Sequence, residues 1–306
     1  MISFIVKRLM HGILAVVVLS LLVFIGVRTS GDPTTLMFQA GEPSKEEIAQ
    51  IKEQLGLDKS YATQYFIFLR QLLKGDLGKS YYTNQKVSAM IGERLGATMI
   101  LTLSAMLISF CISFPIGILS ALKRGSLLDM FGQSFAIFGL SMPNFWLGII
   151  FILLFAVNLR WLPPSGFESW EYIILPSLTL GLILSGILAR LVRSSMLDTM
   201  NRQYIVTARA KGIAEWRVIL LHGFRNALIP VVTYIGLQFG ALLGGTVIIE
   251  KVFSWPGIGR MLVDAISQRD FPVIQGTVFF LAIVMVLTNF IVDVTYGFLD
   301  PRIRVT

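Results

Sequence analysis

The chain has 306 residues, 55% of them hydrophobic and only 14% charged, with a formal net charge of +8. With a mean hydropathy of +0.73, that composition excludes an ordinary soluble domain. A single cysteine, Cys111, excludes an intrachain disulfide, and two histidines, His11 and His222, leave no Cys/His cluster for a metal.

Six apolar runs reach the roughly 20 residues a helix needs to cross a bilayer core. They cover 10–27, 98–122, 131–157, 172–189, 228–249 and 277–299. The expected fold class is all-α integral membrane with six transmembrane helices. The first run follows Lys7 and Arg8 as in a secretory signal, but it is long for one and no A-x-A site follows, so it is taken as an uncleaved anchor.

Residues 28–97 separate the first two runs and form a small lobe of their own. Gly31-Asp32-Pro33 has the chemistry of a turn. Residues 44–55 (SKEEIAQIKEQL) predict an amphipathic helix, with Ser44 and Glu47 as a capping box, Ile48, Ile51 and Leu55 as its stripe, and Gly56 as its stop. A second helix is predicted over 61–73. Further on, Trp161 and Trp170 flank the loop after the third run, as interfacial anchors do. The Gly- and Pro-rich stretch 250–276 predicts a sharp turn and a short helix over 261–268, a candidate re-entrant gate or docking surface. Pro115, Pro143 and Pro176 predict bends in the second, third and fourth runs.

The fifth run carries Gly236, Gly240 and Gly244 at a spacing of four, a face that lets another helix approach closely. Gln238 on the same run, and Asn289 and Asp293 on the last, are the polar groups there, and all six residues are candidates for helix packing or for a permeation wall.

Charge placement predicts orientation. With the amino terminus inside, the inner segments hold 13 basic and four acidic residues, while the outer segments hold 13 of each sign. Both termini are then cytoplasmic, and the net positive charge is a topology signal. That removes the main reason to expect nucleic acid as a partner and leaves the lipid bilayer.

A catalytic function fails on inventory: neither H-E-x-x-H nor G-x-S-x-G occurs. The segment 73–80, LKGDLGKS, ends like a P-loop but has Leu73 where that pattern needs glycine. No cofactor is implied, and the chain has no evident energy source of its own. The inner loop from Arg190 to Arg225, with seven basic and two acidic residues, supplies the lead. Within it 204–216 is predicted to be one helix, with Ala208 and Gly212 forming a small face flanked by Arg209 and Lys211.

Tyr204, Thr207, Ala208, Arg209, Ala210, Lys211 and Gly212 spell Y-x-x-T-A-R-A-K-G, and R-N-A-L-I-P follows at 225–230. This resembles the cytoplasmic signature loop of binding-protein-dependent ABC transporter permeases of the dipeptide, oligopeptide, glutathione and nickel subfamily. Matching stretches run over nearly the whole chain: GDP at 31–33, GLD at 56–58, GDLGKS at 75–80, SMPNFW at 141–146, ILPSLTLG at 174–181, GGTVIIEKVFSWPGIGR at 244–260, RDFPVIQ at 269–275 and DPRIR at 300–304. Two positions depart from the broader ABC permease pattern. Val206 stands where the general signature opens with Glu, and Phe224-Arg225 stands where it has Leu-Pro.

The resemblance implies an ABC importer type I permease fold, with a first helix and extracytoplasmic lobe over 1–93, a transmembrane core over 94–299 and a cytoplasmic tail over 300–306. It also implies a non-enzymatic importer subunit that works by alternating access. Its partners would be a second homologous permease, two cytosolic ATP-binding subunits that grip the signature loop, and an extracytoplasmic solute-binding protein. Peptide-class cargo (di- or oligopeptide, or glutathione) comes first and nickel or a metal chelate second. A self-sufficient secondary transporter or channel is the alternative from another class.

Overall fold

A computed structural model describes residues 2–29, 31, 45–54 and 56–299. Among them the backbone is helical apart from turns and one isolated bridge between Lys79 and Lys86. The helices are α1 (Ile2–Thr29), α2 (Lys45–Gln54), α3 (Tyr61–Leu73), α4 (Val87–Leu122), α5 (Leu127–Ser141), α6 (Asn144–Phe151), α7 (Ile174–Met200), α8 (Gln203–Ala210), α9 (Arg225–Gly245), α10 (Val247–Val252), α11 (Ile258–Gln268) and α12 (Phe271–Leu299). Two π-helical stretches, Ile152–Asn158 and Val218–Phe224, continue α6 and lead into α9.

Five of the predicted runs are helices long and apolar enough to cross a membrane: Val6–Thr29, Val87–Leu122, Trp170–Met200, Glu215–Gly244 and Phe271–Thr295. The third run is not one straight helix. Leu127–Gly139 and Asn144–Asn158 meet at 103°. The cause is Pro143, whose ring forces the preceding residue out of the helical region. Met142 is accordingly extended at φ −87°, ψ 125°, and α5 stops there. Pro115 and Pro230, by contrast, lie inside unbroken α4 and α9. The predicted helix 61–73 is α3, and the helix expected over 261–268 begins earlier, at Ile258. Asp32, Pro33, Ser44, Leu55 and the tail 300–306 lie outside the described residues, as do the side chains of Glu47, Ile48 and Ile51.

The chain divides into two compact units. The first comprises Met1–Thr98 and Pro256–Leu287. Its core gathers Val87, Ile91, Ile258, Phe271 and Val273, each no more than 3% exposed. A polar knot ties its segments together. Asp270 caps the start of α12, and its carboxylate accepts the Ser80 hydroxyl at 2.5 Å and the Tyr81 N–H at 3.1 Å. The Ser80 oxygen in turn accepts the N–H groups of Tyr82 and Thr83. Thus the stretches 75–80 and 269–275, distant in sequence, are two halves of one hydrogen-bonded joint. Similarly, Thr98 Oγ1 accepts the Ile258 N–H at 2.9 Å, anchoring the first turn of α11.

Burial pushes the Asp270 carboxyl above its ordinary value, against the opposing pull of the hydrogen bonds it accepts. A carboxyl raised on folding stabilises the fold below its unfolded pKa of about 4, and that contribution is lost as pH rises through the folded value. The stability advantage of wild type over Asp270→Asn is therefore expected to be larger at pH 4 than at pH 7, measured as the difference between their detergent-solubilised unfolding midpoints.

The second unit comprises Met99–Trp255 and Thr288–Thr306. Here α5 and α9 both pack on α7, and the core around Leu188, Val192 and Met196, which are at most 2% exposed, is closed by Ala121 of α4 and by Ala227 and Val231 of α9. Gly117 is seated against the Ala189 carbonyl and Val192, where any side chain would collide. Asp129 in the first turn of α5 is 2% exposed and takes a two-pronged ion pair from Arg193 of α7, at 2.6 and 2.8 Å. The Gly125 N–H and Gln133 Nε2 complete its shell. After α10, Trp255 is 2% exposed and meets Phe167 edge-on at 4.7 Å, while the Gly166 N–H bonds the Phe253 carbonyl at 3.0 Å. The Phe253-Ser254-Trp255 turn is thus a buried plug rather than an exposed loop, whereas Trp161 and Trp170 are 70% and 74% exposed, as interfacial anchors are.

Candidate functional site

The basic loop is two helical pieces around a tight stop, not the single helix predicted over 204–216. α8 ends at Ala210, and Gly212 takes φ +73°. The Gly212 N–H bonds the Arg209 carbonyl at 2.9 Å and the Ile213 N–H bonds the Ala208 carbonyl at 3.3 Å. That is the Schellman arrangement, in which a left-handed residue satisfies the helix's last carbonyls. Its usual apolar contact is present too. Ile213 packs with Ala208, Ile205 and Val218, and the latter two are fully buried. The expected small face of Ala208 and Gly212 is therefore corrected. Ala208 points into the unit, and Gly212 is small because the backbone turns left-handed there, with no atom within 4 Å of where a Cβ would sit.

What remains outward on α8 is Gln203, Tyr204, Val206, Thr207, Arg209 and Ala210, with Lys211 just beyond. Arg209 is not free to offer its charge. It grips Glu215 across the stop, with contacts of 2.6, 3.1 and 3.2 Å. This clamp is exposed, so its worth to stability is at most about 1 kcal/mol. Its geometric effect is larger, since with the Schellman turn it fixes α8 against the following Glu215–Arg217 turn. From there the helix runs through the π-helical stretch into α9, with Trp216 exposed and stacked on Arg217 at 5.1 Å. Asn226 Nδ2 donates to the His222 carbonyl at 2.7 Å. Neither the clamp nor the π-stretch had a sequence signal beyond the presence of an acid six residues after Arg209.

The glycine face of α9 is half filled. A Cβ on Gly236 would collide with Val292, and one on Gly240 would lie 3.2 Å from Thr288 and 3.8 Å from Asn289 Oδ1. These two glycines are thus helix-packing positions against α12 and bring Asn289 into the same contact. Gly244 has nothing within 4 Å and stays exposed. Gln238 and Asp293 are partly buried. The candidate positions therefore split into a loop group, 204–212, and a packing group.

The comparisons agree with this architecture. The family described as "Binding-protein-dependent transport system inner membrane component" matches residues 113–305, and its N-terminal counterpart matches 1–102. The glutathione transport system permease protein GsiC of Salmonella typhimurium is 43% identical over 99% of both chains, and that of Escherichia coli K12 is 41% identical over the same share. In fold, a chain of the inward-facing MetNI methionine ABC transporter superposes with a TM-score of 0.56 at 18% identity, covering 70% of this chain and 97% of that one. A multi-pass helical protein of a bacterial inner membrane, matched by the family nearly end to end, this chain belongs to the inner-membrane components of binding-protein-dependent transport systems.

Proposed function

We propose that this chain is the permease subunit of an ATP-driven importer that carries peptide-class cargo, glutathione first among it, by alternating access. The observation that carries the coupling role is the construction of the 204–212 loop. A buried heel (Ile205, Ala208), a hydrogen-bonded stop at Gly212 and the Arg209–Glu215 clamp make it a stiff unit with one face left open. A stiff, basic, outward-facing helix transmits a push; a floppy loop would absorb it. In this reading both termini and α8 face the cytoplasm. Two cytosolic ATP-binding subunits seat on Tyr204, Thr207 and Lys211, a second homologous permease completes the pathway, and an extracytoplasmic solute-binding protein delivers cargo.

The cargo assignment is supported by the relatives, which are glutathione permeases. Bare nickel is the second reading. Against it, no group of His, Cys, Asp or Glu among the described residues could hold a metal ion. The test is uptake into proteoliposomes carrying the whole complex, with labelled glutathione, a dipeptide and nickel compared in the presence of the binding protein. Glutathione or dipeptide uptake is expected only with ATP and both ATP-binding subunits; uptake without them would sink the reading in favour of a secondary transporter. A Thr207→Cys variant on a Cys111→Ala background is expected to cross-link to an ATP-binding subunit, which places the loop directly.

A further inference from the structure

In the first unit, α3 is short, apolar on most sides and set against the membrane-spanning part of α1. Its 13 residues make a helix of about 20 Å, too short to cross a bilayer, and Arg70 is its one charge. One face packs on α1, where the Phe24 ring lies 5.2 Å from that of Tyr65 and 6.2 Å from that of Phe68. Ser20 donates its hydroxyl to the Val17 carbonyl at 2.8 Å and meets the Tyr65 hydroxyl at 3.1 Å. Ser20 stands nine residues, about 13 Å of helix, before the end of α1 at Thr29. Further along α3, Leu69, Leu72 and Leu73 line an apolar groove of about 350 Å³ together with Leu9, Ile13 and Val17 of α1. α3 therefore runs beside the stretch of α1 that a bilayer core covers, rather than standing beyond its end.

A second face of α3 is turned outward. Ala62, Phe66, Leu69 and Leu73 recur at i, i+4, i+7 and i+11, which gathers them within about 60° of arc. Phe66 is 71% exposed and Leu73 90%. An apolar edge of this kind marks a surface that meets something other than water. Through Leu69 and Leu73 it is continuous with Leu9, Ile13 and Val17, which are 46–56% exposed on a helix apolar enough to span a membrane. That continuity selects lipid, since the arc extends a surface that hydrocarbon already covers. The charges agree. Arg70 and Lys74 are exposed beside the arc and α3 carries no acid, a pattern suited to phosphate headgroups.

We propose that α3 is an interfacial helix embedded in one leaflet of the bilayer. Ala62, Phe66, Leu69 and Leu73 lie among acyl chains, and Arg70 and Lys74 reach up to lipid phosphates. The leaflet is the one at the C-terminal end of α1, which is extracytoplasmic in the orientation proposed above. The segment 61–73 then anchors the 28–97 lobe to the membrane instead of standing in water with it.

The test is a depth measurement on the full chain with its partner permease in lipid nanodiscs, with no solute-binding protein added. On a Cys111→Ala background, Phe66→Cys, Leu73→Cys, Gln71→Cys and Lys59→Cys each carry a nitroxide. Gln71 lies on the side of α3 opposite the arc and Lys59 precedes the helix, and both are exposed. Power-saturation EPR compares collisions with oxygen, which concentrates in acyl chains, and with a water-soluble nickel chelate. The oxygen-to-chelate ratio is expected to be several-fold higher at positions 66 and 73 than at 59 and 71, with unfolding midpoints unchanged by the labels. Chelate access at 66 and 73 equal to that at 59 would place the arc in water and overturn the proposal. Protection of 66 and 73 from both reagents would show a protein partner covering the arc, and would overturn it too. Both faces of a nanodisc are open to the chelate, so the outcome is independent of the orientation and of the transport function proposed above.

Discussion

Arg193→Leu is expected to destabilise the protein by about 3–5 kcal/mol, the largest single effect among the contacts described. The reason is asymmetry. Arg193 is partly exposed, but Asp129 is 2% exposed, so removing the guanidinium strands a carboxylate with only the Gly125 N–H and the Gln133 amide for company. Asp129 also terminates the turn at 123–126 that starts α5, so the loss propagates into the helix N-terminus. The double variant Asp129→Asn/Arg193→Leu removes both charges together and should recover more than half of the loss, since an uncharged pair carries no stranded ion. Unfolding in mixed micelles reads both. Additive losses in the double variant would mean that the two side chains act separately and that the pair is not the joint between α5 and α7.

The second large effect falls on transport. Gly212→Val should reduce ATP-driven uptake at least tenfold while membrane insertion and the basal ATPase rate of the partner subunits persist. A β-branched residue at φ +73° is strained, and the Schellman stop would open to relieve it. Gly212→Ala carries a milder cost of about 1–2 kcal/mol, and Gly212→Asn should retain most uptake, because asparagine tolerates the left-handed region. This ranking separates two roles for the glycine. If Gly212 matters because its small size lets a partner seat on it, Asn should be as damaging as Val. With no atom within 4 Å of a Cβ there, the conformational role predicts the opposite within this chain.

Membership in the family was legible because it is written in contiguous runs. Stretches such as GDLGKS and RDFPVIQ are local strings, and their order along the chain identified the type before any coordinates. Their meaning was not legible. That Ser80 and Asp270 form one joint requires two segments 190 residues apart to meet, and hydrophobic periodicity carries no information about which polar pairs close on folding. The same holds for Asp129 and Arg193, which looked like two members of a positive-inside count. In the 204–212 loop, an i, i+4 rule placed Ala208 and Gly212 on one face. The rule presumes a helix that continues, and here it stops at Ala210.

By itself the sequence determined what depends on composition and on neighbours along the chain: a membrane-spanning all-helical protein, the number of its apolar runs, the bend at Pro143 and the family. These follow from bilayer thickness, from the missing proline N–H and from short-range backbone sterics. Only the tertiary structure decided which glycines pack and which one turns, that Arg209 is held by Glu215, and that the run through Trp255 is a buried plug. Each of those is a matter of which groups lose water together, and that is fixed by packing across the fold rather than by order along the chain.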